Sequence, residues 1–417
     1  MKTKAIITLL LLCLVFVSCD KDDSNDDYQM VSVATPEFMS LDAFRNSVEI
    51  TTPTEIIESG KIYVYNNLVL VNDVNSGIHI IDNSNPQNPK KVAFIKIKSN
   101  KDMEIKGDFL YADSLMDLVV FDISNIENIK EVERLENVFP SYPIWPVGVD
   151  VFEDGDPVTD GFIVGWTITE ELRKKEDVVN TGGGVFFDGA LVNTTSAESS
   201  TGQGGSLARF KIVDDYLYAV DSHNINIFNI NNLEEPQVLD PIYAGFDIET
   251  IFNRGEHLFL GSMRGMYIYD ITNPGIPEFV SQFEHGTACD PVVVDDNYAY
   301  ITLRAGNFCG AFDSSLQIVD ITDLENPELT KSYAMDGPYG LGIKDNFLFI
   351  CDGASGLKVY NKSDVNNLVL LDHFEDINTY DVIPLSDRLL MIGDGTLFQY
   401  EYTGNTGITL LSEFSLN

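Results

Sequence analysis

LQIVDITDLENP, residues 316 to 327, is the stretch on which the fold turns: an apolar run closes on Asp320 and a polar turn ends on Pro327. The phrase recurs as IHIIDNSNPQNP (78–89), VVFDISNIENI (119–129), INIFNINNLEEP (225–236), MYIYDITNPGIP (266–277), LKVYNKSDVNNL (357–368) and, worn down, TLFQYEYTG (396–404). The closing residues are Asp82, Asp122, Asn229, Asp270, Asp320, Asn361 and Glu401, at gaps of 40, 107, 41, 50, 41 and 40 residues. A period near 40 marks a repeat architecture in which one copy cannot bury its own apolar face and must stack on the next.

Each copy reads as four strands. Around Asn229 they are Ser206 to Val213, Tyr216 to Asp221, Asn224 to Ile230 and Pro236 to Tyr243, separated by polar turns. Four-stranded antiparallel units repeated radially are propeller blades. The expected fold is therefore all-β, a seven-bladed β-propeller. The alternative is eight blades, the extra one drawn from Val147 to Phe152 and Phe162 to Ile168. The two long gaps place an insertion at about 140–205, between blades two and three, and a smaller one from Arg304 to Ser314. In an up-down-up-down blade both connections emerge on one face, called the top here.

The first residues give an address. Lys2 and Lys4 precede an uncharged run from Ala5 to Val17, too short for the about 20 residues that span a bilayer, so residues 1–18 read as a signal peptide. Cys19 follows small Ser18 and precedes the acidic stretch from Asp20 to Asp27. That arrangement resembles a bacterial lipoprotein site, with Phe16 where Leu is usual, and implies that Cys19 carries lipid. The stretch after it resembles the export signal of Bacteroidetes-type lipoproteins. This implies attachment to the outer membrane and leaves periplasmic or cell-surface orientation open. Residues 19–43 read as a disordered acidic tether, and 44–417 as the propeller.

Charge narrows the partners. Without Lys2 and Lys4 the chain holds 24 basic residues against 65 acidic ones, which excludes nucleic acid and leaves glycans, surface or outer-membrane proteins and metal ions.

The repeats LVLVNDVNSGIHIID (68–82), LYADSLMDLVVFD (110–122) and LFICDGASGLKVYN (348–361) resemble the LVIVD repeat family of bacterial propellers over about residues 60 to 415. The segment from Ala288 to Gly310 is similar to a stretch in lipoproteins of that kind. The resemblance implies a cell-surface propeller and brings no established reaction, so no catalytic residue and no cofactor carries over.

Candidate residues lie on the top. Asp73, Asp113, Asp221, Asp352 and Asp394 end second strands; convergent carboxylates suit a hard cation such as calcium or sugar hydroxyls, while Asp before Ser or Gly is also ordinary turn chemistry. Trp145 and Trp166, in the insertion with Tyr142, Phe186 and Phe187, offer faces to sugar rings or pack the insertion. Cys289 and Cys309 are placed to close a disulfide worth about 3 kcal/mol, whereas Cys351 reads as a buried thiol. The five histidines show no zinc spacing, and no P-loop, HExxH or GxSxG is present.

The expected function is non-catalytic binding of a glycan or protein on the top face, at Trp145, Trp166, Asp221, Asp290 and Arg304. Two readings compete: an enzyme acting on polysaccharide through two carboxylates among Asp150, Asp221, Asp290 and Asp352, and a structural subunit of an outer-membrane assembly.

Overall fold

A computed structural model describes residues 28–140, 146, 148–153, 161–175, 203–285, 291–305, 313–404 and 406–417, which fall into two compact units. The larger unit, 39–143 with 188–417, holds seven sheets of one plan among the described residues. Sheet 5 shows the plan: Val292–Val294, Tyr298–Leu303, Ser315–Asp320 and Glu328–Ala334 pair antiparallel in sequence order. Sheets 1 to 4, 6 and 7 begin at Ser59, Met103, Phe210, Ile248, Leu341 and Thr379. In sheet 3 the fourth strand is split into Gln237–Val238 and Ile242–Tyr243.

The repeated turn explains why the phrase is spelled as it is. In six copies the closing side chain accepts the amide two residues on: Ser84 to Asp82, Ser124 to Asp122, Asn231 to Asn229, Thr272 to Asp270, Thr322 to Asp320 and Ser363 to Asn361. A second such bond follows three residues later, as from Glu325 N to Asp323. Glu401, one methylene longer, ends the worn copy.

Sheets stack in sequence order. Ile78 and Ile80 of sheet 1 share a buried cluster with Leu110 and Val119 of sheet 2, and Ile62 and Val69 of sheet 1 share another with Ile383, Leu390 and Ile392 of sheet 7. Each first strand neighbours the first strands of the sheets before and after it, sheet 7 returning to sheet 1. Side chains tie sheets 2, 3 and 5 to the next one's turn: Tyr111 Oη donates to Leu233 O, Tyr218 Oη to Pro274 O and Tyr333 Oη to Val365 O, each at 2.8 Å. Between sheets 7 and 1, Gln399 Nε2 donates to Pro86 O at 2.9 Å and exchanges bonds with Asn83.

The outer strands carry one extra residue at the same place in six sheets: Val92, Val132, Val280, Thr330, Leu371 and Leu411. A bulge there kinks an edge that would otherwise template pairing with another chain. Ahead of sheet 1, a short helix Leu41–Arg45 is capped by Ser40 and fastened through Arg45 to buried Asp117. Strand Glu49–Thr51 then covers the outer edge of sheet 1.

Two expectations change. Residues 28–39, assigned to the disordered tether, form the strand Tyr28–Met39 in the smaller unit, where Val151–Phe152 pairs with it in parallel and Phe162–Lys174 lies on its other side. The apolar alternation Val31, Val33 supplies what a solvated leash lacks, a buried face. The parallel pair also departs from the antiparallel plan of a blade. Secondly, the insertion does not keep to the top. It leaves there after Phe139, but Gln203–Gly204 returns along the inner edge of sheet 1's first strand, pairing antiparallel with Val64 and Tyr63, near that strand's bottom end. Gly205 follows where a Cβ would lie 2.1 Å from Asp381 Oδ2, so only glycine passes.

Candidate functional site on the top face

Second strands end at the top, and their carboxylates face the loop that leads into the first strand of the same sheet. Asp73 accepts from Ile57 N (3.2 Å) and Glu58 N (2.9 Å), Asp113 from Lys101 N (2.8 Å) and Asp102 N (2.7 Å), Asp352 from Asp336 N (3.1 Å) and Gly337 N (2.8 Å), and Asp394 from Asn378 N (2.8 Å). A loop crossing the top has no ladder partner for these amides, and the aspartates supply it. The carboxylates expected to seat a cation or polyol are thus all engaged by backbone, four of the five by the incoming loop of their own sheet. Among the described residues no three His, Cys, Asp or Glu groups converge as a metal site would require.

Asp221 is the exception. The incoming amides of sheet 3, at Arg209 and Phe210, are taken by Asp102 of sheet 2. Asp221, half-buried, instead closes its own turn, accepting from His223 N (2.7 Å), Asn224 N (2.9 Å) and Asn226 Nδ2 (3.0 Å). Beside it a cleft of about 90 Å³ opens between sheets 2 and 3, lined by Asp113, Leu115, Phe139, Arg209, Asp221 and Ser222.

The turn held by Asp221 sets His223 against two aromatic rings, Tyr243 at the end of sheet 3's split fourth strand and Phe246 in the connection to sheet 4. His223 lies 5.7 Å from Phe246, Tyr243 meets Phe246 edge-on at 5.9 Å, and the Arg264 guanidinium covers Phe246 at 5.4 Å. Tyr243 and Phe246 are 57% and 52% exposed, values that set them apart from the buried aromatics of the sheets. Ala244 N donates to His223 O (2.7 Å) and Arg264 Nε to Asp247 (3.2 Å), so the rings stand on a braced loop. His223 Nδ1 is buried and has no hydrogen-bond partner. Exposed ring faces and a cation together suit a polyol ring or a flat polar ligand.

Below the top, the inner edges of the first strands carry buried ion pairs: Lys61 to Asp102 (2.8 Å) and Lys211 to Glu104 (3.4 Å). Burial pushes the Glu104 carboxyl up to about 7, with Lys211 pulling it back, and lowers Lys61.

The other candidates disperse. Arg304 stacks on Tyr339 (4.0 Å), whose ring lies 5.3 Å from Tyr380, in a separate cluster of sheets 5 to 7. Trp166 meets Phe152 edge-on at 5.5 Å within the smaller unit, the packing role open to it. Cys351 is a buried free thiol, pushed well above its ordinary pKa by burial. Cys19, Trp145, Cys289, Asp290 and Cys309, with Tyr142, Phe186 and Phe187, lie outside the described residues. Sequence reasoning missed Tyr243, Phe246 and Arg264 and left His223 among scattered histidines. The available signal was YAGF (243–246), two aromatics three residues apart where the fourth strand of sheet 3 ends.

The fold defines an all-β protein of repeated four-stranded sheets. The LVIVD repeat model matches residues 58–93, 99–136 and 285–335, so the chain carries LVIVD repeats, consistent with a repeat-built propeller. No curated protein matches the sequence. Among solved structures, the computationally designed protein Ika8 is similar at 12% identity over 87% of this chain and 90% of that one, with a TM-score of 0.50. A functionally unknown protein from Desulfotomaculum acetoxidans is also 12% identical, over 83% of this chain and 99% of its own, at 0.50. BamB from Moraxella catarrhalis is 9% identical over 81% and 82%, at 0.48. Such identities speak to the fold alone.

Proposed function

We propose that this chain is a seven-bladed β-propeller lipoprotein, anchored to the outer membrane through Cys19, that binds a glycan or protein on its top face without catalysis. Seven sheets of one plan, with sheet 7 packed on sheet 1, support the blade count. The observation that carries the binding reading is the exposed ring pair Tyr243 and Phe246 beside His223 and Asp221. Glycan is the favoured class, because apolar ring faces next to hydrogen-bonding groups match the two sides of a sugar. Trp145, Asp290 and Arg304 stay as proposed outlying contributors.

The enzyme reading is less favoured. Asp352 is fully buried and engaged by two amides and Lys358 (2.5 Å), and Asp150 accepts from Ser32 N (2.8 Å), so neither is a free acid or base.

Screening the protein against immobilised neutral and acidic oligosaccharides should find a ligand whose affinity falls at least tenfold in Tyr243→Ala/Phe246→Ala, with folding unchanged because both rings are exposed. Full retention of affinity in that variant would rule the platform out. For the anchor, Cys19→Ala is expected to move the protein from the membrane fraction to the soluble one. A wild-type chain found soluble in cells would contradict the lipid assignment.

A further inference from the structure

The first strands end at the bottom around a cavity of about 560 Å³, within the range that holds small ligands. Its wall is mixed: Val64, Phe252, Val294 and Pro384 come from sheets 1, 4, 5 and 7, with Asn83 and Ser386 among its polar groups. Its rim is cationic, with Arg254, Lys344 and Arg388 from sheets 4, 6 and 7. Asp387 lines the mouth with them, and each cation is paired with one aspartate.

Their hydrogen bonding leaves donors unused. Arg254 uses Nε and Nη2 on Asp296, and Arg388 uses Nε and Nη2 on Asp387. The Nη1 donors have no acceptor among the described residues, and a guanidinium so fixed presents its remaining N–H groups in one plane. Lys344 is held 3.4 Å from Asp345 and 5.5 Å above the Tyr402 ring. Asn66, Asn67 and Gln203 add side-chain amides, Gln203 Nε2 being braced on Pro384 O at 3.0 Å.

We propose that this bottom mouth is a second binding site, for a small organic anion: a carboxylate on the cationic rim and a carbon ring or chain against the apolar side chains of the wall, as in a uronic acid. It is independent of the top-face platform. A neutral sugar would leave the rim donors unmatched, and a bare inorganic anion would leave the wall uncovered, so the two together define the ligand.

Calorimetric titration with galacturonate, digalacturonate, galactose and inorganic phosphate tests it. Binding is expected for the two uronates, weakening with added salt, and not for galactose or phosphate. Arg254→Gln/Arg388→Gln should reduce uronate affinity at least tenfold, while Tyr243→Ala/Phe246→Ala leaves it unchanged. Lys344→Gln alone should lower it about threefold, a milder variant should the double one lose its fold. Absence of uronate binding, equal binding of galactose, or binding insensitive to the rim variants would overturn the proposal.

Discussion

Asp102→Ala is expected to destabilise the protein by about 3–5 kcal/mol, the cost of removing one partner from a buried pair. Asp102 carries more than one duty. Its Oδ2 faces Lys61 Nζ at 2.8 Å and accepts from Phe210 N at 2.9 Å and from Arg209 N; its Oδ1 accepts from Met103 N at 2.7 Å. It therefore joins the first strands of sheets 1, 2 and 3, and alanine strands a buried ammonium and three amides together. Asp102→Asn keeps an acceptor but loses the charge, so an intermediate loss is expected. Lys61→Met/Asp102→Asn should recover most of the stability, because the unpaired ammonium goes too. Denaturant midpoints of the three variants check the order; a loss under 1 kcal/mol for Asp102→Ala would mean that the pair does not hold the strands.

The second large effect depends on pH. The Glu104 carboxyl titrates at about 7 in the folded chain against an ordinary 4.5, since burial disfavours its charge and Lys211 only partly offsets this. The folded state thus binds the proton more tightly than the unfolded state. Its contribution is fully favourable below about 4.5 and is lost as pH rises through 7. Lys211→Met removes the compensating charge. At pH 8 it should cost about 3–5 kcal/mol relative to wild type, with the carboxylate left alone, and at pH 5, where Glu104 holds its proton, clearly less. Glu104→Gln/Lys211→Met should abolish the difference between the two pH values. An equal cost of Lys211→Met at pH 5 and pH 8 would show that the pair is not coupled in this way.

What could be read from the sequence was what is local. The bond between Asp320 and Thr322 N spans two residues, so its spelling survives in six of the seven copies and fixes strand ends and period. The second-strand aspartates were visible as residues, but their partners, such as Glu58 N for Asp73, come from a loop whose crossing depends on the preceding sheet. Tyr28–Met39 looked like part of a leash because its pairing partner, Val151–Phe152, is more than a hundred residues away. The return of the insertion beside Val64 is equally non-local, and no turn chemistry announces it. The binding platform was hidden for a different reason. Tyr243 ends a fourth strand and Phe246 follows it in a connector, both outside the repeat's phrase.

Hydrogen exchange of the protein with and without the oligosaccharide that binds it best tests the top-face account most directly. Slowed exchange is predicted at residues 221–224, 243–247 and 262–265, with the turns 83–89 and 323–327 unchanged, and Asn88→Ala and Glu325→Ala should bind as wild type does. Protection confined to those bottom turns, with none at 243–247, would contradict the account.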